Sequence, residues 1–430
     1  MPTSSPAVVH RRLPFVAAPE AVLSALVDRE HPVMAPTGRG PVIVAADPSV
    51  EVSGPAVWDA LDIPCSHHPS HPTHFAGGWM GLLGDGIADT IEALPPAPPD
   101  PGGPPAAFVA RYPTIAVVSA AGDITIASTA GEHALDRFER HLASAAPSWP
   151  PPQPAGPAGP ADGTLVMESS LPADDYRSAV SCIRDLIRRG DCYQVNLTQR
   201  LTAPWEGSAL AFAARLWAAA GASSHRAFLR LDQGTVVSAS PELLVRVRAR
   251  VAESEPIKGT APIGGWARLR TSVKDRSEHV MIVDLVRNDL GRVAVPGGVR
   301  VPRLFARLET PYVEHMVSTV EARLADGTTA TDVLRAVFPG GSVTGTPKVR
   351  SLEVIRELEP VSRGPAYGSI VAVTPTGDVE ASVAIRTAWL TGTEVRYWCG
   401  GAVVWDSDPR SELREAIAKA TPFLRALGVG

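Results

Sequence analysis

The chain predicts an α+β fold, and three observations carry that prediction. Short apolar or alternating runs that read as strands recur along its whole length. Strongly periodic helical stretches lie among them, but strand and helix do not alternate regularly as they would in a doubly wound sheet. The 430 residues give room for two domains, or for one large domain carrying a second layer.

Residues 1–145 hold short apolar runs, PVIVAAD and PTIAVVSAAGDITIAS, separated by segments rich in proline and glycine. Ala121-Gly122-Asp123 reads as the turn of a hairpin. Residues 146–165 contain APSWPPPQPAGPAGPAD, a tract that cannot build a core and reads as an extended linker. From 166 to 428 the pattern sharpens. Tyr176, Val180, Ile183 and Ile187 recur at helical spacing, the helix stops at Gly190, and an alternating strand follows. Further helices are expected over 274–286, over 348–358 and from Ser411, with strands at 228–231, 235–239, 243–250, 368–374, 380–388 and 395–405. No internal repeat is present.

Composition removes several function classes. A net charge of −5 and a pI near 6.1 argue against a nucleic-acid or anionic-membrane surface, which needs a basic excess. The N-terminus lacks the apolar core of a signal peptide, and no apolar run is long enough to span a bilayer. The cysteines Cys65, Cys182, Cys192 and Cys399 form no CxxC pair, so neither a disulfide framework nor a zinc ribbon is suggested. Cytoplasmic chemistry on a small metabolite is the expectation.

Two motifs mislead. His67, His68, His71 and His74 sit in a proline-rich tract that prevents a helical ligand pair, so a surface loop is expected. GGSVTGTPK, Gly340 to Lys348, lacks the Gly-Lys-Ser/Thr of a phosphate loop, and its proline removes a backbone donor. The segment can still offer N–H groups to a carboxylate at the start of the next helix.

Acids mark two helices. Asp275 and Glu278 are three apart, as are Glu412 and Glu415, with Lys419 four further on. Each set falls near one helical stripe. Solvated faces would explain them, yet the apolar Val280, Met281, Ile282 and Val283 beside Glu278 argue for partial burial. Buried like charges need a cation between them, and magnesium suits an oxygen-only donor set. Lys258, in EPIKGT just past an expected strand, reads equally as a surface charge or as an amine brought close to a ligand.

Taken together, GDCYQVNLTQR, SPELL, PIKGT, DRSEHVMIVDLVRNDLGRV, VEHMVST, FPGGSVTGTPKVRSLEVIRELEP, GPAYGSI, AIRTA and SDPRSELREAIAKA resemble the chorismate-utilising enzymes. FAGGWMGLLGDG, Phe75 to Gly86, extends the resemblance toward the N-terminus. The resemblance implies two face-packed β-sheets flanked by helices. It makes Glu278 and Glu415 magnesium ligands, with Asp275 and Glu412 as supporting acids. Arg386 and Tyr367 match positions that hold the pyruvyl carboxylate, a task suited to a planar guanidinium. Lys419 would support that end. Gly400, Gly401, Ser342, Thr344 and Gly345 would supply backbone contacts, and Thr260 and Gln194 complete the substrate-facing set. His315 and Glu242 stand where the family handles the ring-hydroxyl proton.

Within that family the lysine of PIKGT resembles the aminodeoxychorismate synthases, whereas anthranilate and salicylate synthases usually carry a small residue there. The resemblance implies that Lys258 attacks ring carbon 2 as the carbon 4 hydroxyl leaves, after which ammonia enters at carbon 4. Gln194 stands where water-adding relatives carry a lysine base, and an amide does not titrate, so water attack is disfavoured. No Gly-x-Cys-x-Gly elbow is present, so ammonia is expected from a separate glutaminase subunit. Two departures are noted: Ala261 replaces a frequent arginine, and Ala402 a usual glycine. An LLES signature is absent, so no tryptophan feedback is expected.

Overall fold

The computed structural model describes residues 8–36, 40–67, 77–144, 166–221, 223–309 and 313–429. The expected linker and His68, His71 and His74 lie outside the described residues. Two antiparallel sheets organise the rest. The larger runs from Val9–Val16 through the hairpin Thr114–Val118/Asp123–Ser128 to Val42–Ala45 and Val33–Pro36. It continues through His225–Leu231, Gly234–Ser240, Thr387–Leu390, Glu394–Val403 and Gln194–Pro204, ending at Gly345–Thr346. The smaller sheet runs from Ile257–Pro262 through Val313–Leu324, Val251–Glu255, Leu243–Arg248, Val379–Val383 and Ser369–Val373 to Gly78–Leu83, Ala107–Tyr112 and Val50–Ser53. Strands from both sides of residues 145–165 therefore share both sheets.

One core lies between the sheet faces. Ile43, Leu229, Val236 and Trp389 of the larger sheet meet Met80, Leu82, Val245, Val371 and Ala381 of the smaller. A second core, with Leu23, Phe138, Phe212 and Phe423, fixes helices on the outer face of the larger sheet. A third, with Tyr176, Ile183, Leu352, Ile355 and Ala416, joins the helices Ala173–Arg188, Lys348–Leu358 and Pro409–Lys419. This is the expected α+β architecture with helices flanking two face-packed sheets.

Several boundaries sharpen the sequence reading. The hairpin at Ala121–Asp123 forms with Gly122 at φ 85°, and the helix over 348–358 has the expected limits. The expected strand 380–388 is instead two strands in different sheets, Val379–Val383 and Thr387–Leu390. Between them the chain crosses sheets through Arg386, which takes a positive φ of 51°. Lys258 does lie just past the end of the strand Val251–Glu255, but after Pro256 it already belongs to a new strand, Ile257–Pro262.

Candidate active site

The strand carrying Lys258 is bent where the lysine sits. Lys258 opposes Met316 and Thr260 opposes His315, so Gly259 is an extra residue between successive pairs. Gly259 has φ 77°, and a Cβ there would lie 2.8 Å from Leu269 Cδ1. This glycine bulge re-aims the side chains on either side of it. Lys258 Nζ donates to the Ser342 carbonyl at 3.0 Å. Burial, and after it the Lys419 charge, hold the Lys258 amine below its ordinary pKa against the pull of Glu242, Glu278 and Glu415.

Glu242 is buried at the start of the neighbouring strand, its N–H donating to Ser240 Oγ at 3.2 Å. Burial pushes its carboxyl above the usual range, and the Ser342 hydroxyl, the Lys258 amine, the Ile257 N–H and Arg386 offset that only in part. His315 is also buried. Its Nδ1 shares a hydrogen with Thr260 Oγ1 at 2.9 Å, while Nε2 has no protein partner among the described residues. Burial, with the Arg386 charge beside it, lowers His315 to about 4, so the ring is neutral at pH 7.

The acids come from two helices. Val273–Gly291 is capped by Ser272, whose Oγ accepts from the Asp275 N–H at 3.2 Å. Ile282, Val283, Val286 and Leu290 anchor this helix in the inter-sheet core. At about 1.5–3 kcal/mol per buried side chain, that anchoring offsets the cost of turning Glu278 inward. Glu278 is raised by burial, an effect to which Asp275 and Glu412 add. Glu412 is buried and likewise raised by burial, with Glu415 adding and the Ser407 hydroxyl opposing. Burial alone would raise Glu415, but Lys419 Nζ at 2.8 Å wins, with help from Lys274 and Lys258, and lowers it.

Gly401 opens the space between these groups. A Cβ built there would stand 3.4 Å from Lys419 Nζ, 3.6 Å from Glu412 Oε2 and 3.8 Å from Glu415 Oε1. The cradle is thus oxygen-rich, with room a side chain would fill, and it fits a hard divalent cation. Its carboxylates do not form a tight ligand group as they stand. The one trio of described residues with ligand atoms within 4.8 Å of one another is Glu30, His31 and Glu51, far from these acids in sequence. There His31 Nε2 contacts Glu51 at 3.0 Å, an ion pair when the ring is protonated.

The remaining residues line the same region. Gly400 packs so closely that a Cβ would lie 2.1 Å from the Leu197 carbonyl, and its own carbonyl accepts from Lys419 Nζ at 3.1 Å. Tyr367 is buried with φ 63°, so Tyr367 and Arg386 both hold a backbone conformation that L-residues rarely adopt. Among the described residues the Arg386 guanidinium has no side-chain hydrogen bond. Gln194 is fully buried, neither of its amide atoms has a partner among the described residues, and its carbonyl accepts from Ser351 Oγ at 3.0 Å. Thr344 Oγ1 donates to the Gly340 carbonyl, and Gly345 has φ 147° against the Gln194 carbonyl. Ala261 is buried against Leu269 and Met316, a small apolar contact. Ala402 opposes Asn196 across the strand pair.

A match to the chorismate binding enzyme family model spans residues 42–425. The chain belongs to that family. Among relatives of the chorismate binding enzymes, aminodeoxychorismate synthase component 1 of Salmonella typhimurium is 36% identical over 375 residues, covering 85% of this chain and 80% of that protein. The same-named protein of Klebsiella aerogenes is 38% identical, covering 84% and 79%. Anthranilate synthase component 1 of Streptomyces coelicolor is 37% identical, covering 82% and 73%. In structure, anthranilate synthase component I from Streptococcus pneumoniae aligns with a TM-score of 0.78 at 28% identity, covering 88% of this chain and 90% of that one. The chain is therefore a chorismate-utilising enzyme by family, with the fold its motifs implied.

Sequence reasoning missed five residues. Lys274 lies one turn before Glu278, 3.9 Å from its carboxylate. Ser407 steadies Glu412. His279 is fully buried with Nε2 2.6 Å from Ser318 Oγ. Arg363 and Glu359 form a buried ion pair beneath the site. The i, i+4 spacing signalled Lys274 and the pair Glu359–Arg363. Nothing local signalled Ser407 or the environment of His279. No described helix is long and apolar enough to cross a membrane.

Proposed function

We propose that this chain aminates chorismate at ring carbon 4, forming 4-amino-4-deoxychorismate with ammonia from a separate glutaminase subunit. Identity to relatives does not separate the branches, since 36–38% to aminodeoxychorismate synthases stands beside 37% to an anthranilate synthase. The observation that carries the reading is Lys258, a half-buried amine with lowered pKa on a glycine bulge beside Glu242. A lysine at its ordinary pKa near 10.4 is neutral in only about one molecule in 2,500 at pH 7, so burial is what makes it a nucleophile.

The chemistry then follows from this chain's groups. The Lys258 Nζ lone pair forms a bond to carbon 2, the ring double bonds shift, and the carbon 4 C–O bond breaks. Glu242, whose carboxyl burial pushes above its usual range, donates the proton that lets the hydroxyl leave as water. Ammonia adds at carbon 4, the double bonds shift back, and the amine of Lys258 departs from carbon 2. Arg386 and Tyr367 hold the pyruvyl carboxylate, while the Ser342–Gly345 backbone, Gly400 and Gly401 shape the ring subsite. Neutral His315, tied to Thr260, orients the ring-hydroxyl end. Magnesium held by Glu278 and Glu415, with Asp275 and Glu412 behind them, would neutralise the ring carboxylate and polarise the ring toward attack.

The names of the relatives, which call them a component, support a glutaminase partner, and cytoplasmic placement agrees with that chemistry. Incubation with chorismate, magnesium and ammonium, followed by an aminodeoxychorismate lyase, tests the proposal. Formation of 4-aminobenzoate supports it, and fluorescent anthranilate appearing without the lyase overturns it.

A further inference from the structure

Lys258 is aimed by a backbone carbonyl, and the next carbonyl along the chain is held by a buried ion pair remote from the substrate. Three successive carbonyls are each engaged by a different segment. Ser342 O accepts from Lys258 Nζ at 3.0 Å, Val343 O from Arg363 Nη1 at 2.9 Å, and Thr344 O from the Asn196 N–H at 2.8 Å. Arg363 is only 1% exposed, and its partner Glu359 only 5%. Its Nε and Nη2 grip both Glu359 oxygens at 2.9 and 2.7 Å, and Nη2 also donates to the Asn196 carbonyl at 2.7 Å. Glu359 Oε1 accepts in turn from the Thr198 N–H at 2.9 Å. The guanidinium carbon lies 4.8 Å from the centre of the Tyr367 ring.

A buried ion pair is weak evidence of stability, because desolvation cancels much of its attraction. Here the Arg363 donors not spent on Glu359 go to segments that carry site groups, and its guanidinium lies over the Tyr367 ring. Those segments are the 342–344 carbonyls and the strand of Gln194. Only a planar fork reaches Val343, Asn196 and Glu359 together; a lysine ammonium is a point donor.

On the chorismate-aminating reading above, we propose that Arg363 is a positioning residue. It fixes the Val343 carbonyl directly, and with it the adjoining Ser342 O, which sets the line along which Lys258 reaches the substrate. Glu359 holds the guanidinium in plane. Arg363 itself touches no reacting atom.

The test uses Arg363→Lys in the full chain. That variant keeps the charge opposite Glu359, so the fold is retained. At saturating chorismate with ammonia withheld, capture of the substrate by Lys258 is followed by intact-protein mass as a gain of chorismate less one water. Misplacing a reacting group by about 1 Å costs on the order of 10²-fold, so capture is expected to slow roughly 10- to 100-fold, with kcat falling by the same factor. The double variant Arg363→Gln with Glu359→Gln removes both charges while keeping an acceptor for Thr198, and the same slowing is expected there. Capture at the wild-type rate in either folded variant overturns the proposal. So does a loss of rate no larger than the unfolded fraction seen by circular dichroism. Wild-type protein that neither captures nor turns over chorismate sinks the aminating reading itself, an outcome separable from the others.

Discussion

Replacing Lys258 by alanine isolates the nucleophile. Among the described residues the amine makes one hydrogen bond, to Ser342 O at 3.0 Å, and otherwise acts electrostatically on Glu242 and the helix acids. Its loss therefore removes no core packing, and a carbonyl facing a partly open site can rehydrate, so stability should change by about 1 kcal/mol or less. Chorismate affinity should hold within a few-fold, because Arg386, Tyr367 and the loop contacts remain. Without a covalent route, weak ammonia must displace hydroxide directly. Removal of an activated nucleophile typically costs on the order of 10³- to 10⁶-fold in kcat. The assay is lyase-coupled 4-aminobenzoate formation with magnesium and ammonium, run beside intact-protein mass. Retention of even one-tenth of wild-type turnover by Lys258→Ala, or a substrate adduct on the alanine variant, refutes the covalent mechanism.

Neighbouring glycines should behave oppositely. Gly400→Ala places a Cβ 2.1 Å from the Leu197 carbonyl, rigid backbone in a strand pair, and should cost about 1–3 kcal/mol or more in urea unfolding. Gly401→Ala meets only side-chain ends at 3.4 Å and beyond, so it should fold normally yet bind magnesium roughly 10-fold more weakly by calorimetry. His315 gives a pH signature. Its folded pKa of about 4 lies below the ordinary 6.5, so the unfolded chain binds the extra proton. Its contribution is complete above pH 6.5 and is lost as pH falls toward 4, by up to about 3 kcal/mol. Denaturation curves at pH 7 and pH 4.5 should converge for His315→Gln relative to wild type; an unchanged pH slope would contradict a buried neutral ring.

Much of the architecture could be read in the sequence because its signals are local. The periodic helix after Pro172, the Gly122 hairpin and the helix at Lys348 each follow from spacing and end signals within a dozen residues. The run 380–388 failed because a sheet crossover at Arg386 has no local marker: Ser-Val-Ala-Ile-Arg-Thr-Ala reads as one strand whichever sheet each half joins. Lys258 was identified through its motif, while the bulge that aims it depends on pairing with Met316 and His315, some 55 residues away in sequence. The acids were legible as helical stripes. What sequence could not give was which cations sit between them, since Lys419 is on one acidic helix, Lys274 on the other and Lys258 on a strand.

That arrangement of charge sets the last prediction. The carboxylates Asp275, Glu278, Glu412 and Glu415 of the two helices stand among the amines of Lys274, Lys419 and the pKa-lowered Lys258, with the Arg386 charge nearby beside Glu242 and His315. The site is close to balanced before any ligand arrives. Chorismate carries two carboxylates, and adding them alone would leave two uncompensated negative charges in a partly buried space. Adding a divalent cation alone leaves the opposite excess, which Lys274 and Lys419 already oppose. Only together do the two restore balance, so each should bind weakly alone and tightly with the other. A typical coupling of 1–3 kcal/mol corresponds to a roughly 5- to 150-fold gain, and linkage requires it to be equal in both directions. Titrating magnesium with and without saturating chorismate in Lys258→Ala, where turnover is blocked, measures one direction, and the reverse titration the other. Lys274→Met removes a competing cation, so it should tighten magnesium binding to the free protein and shrink the coupling. Magnesium affinity indifferent to both chorismate and Lys274 would mean that the acids of the two helices do not hold the metal at all.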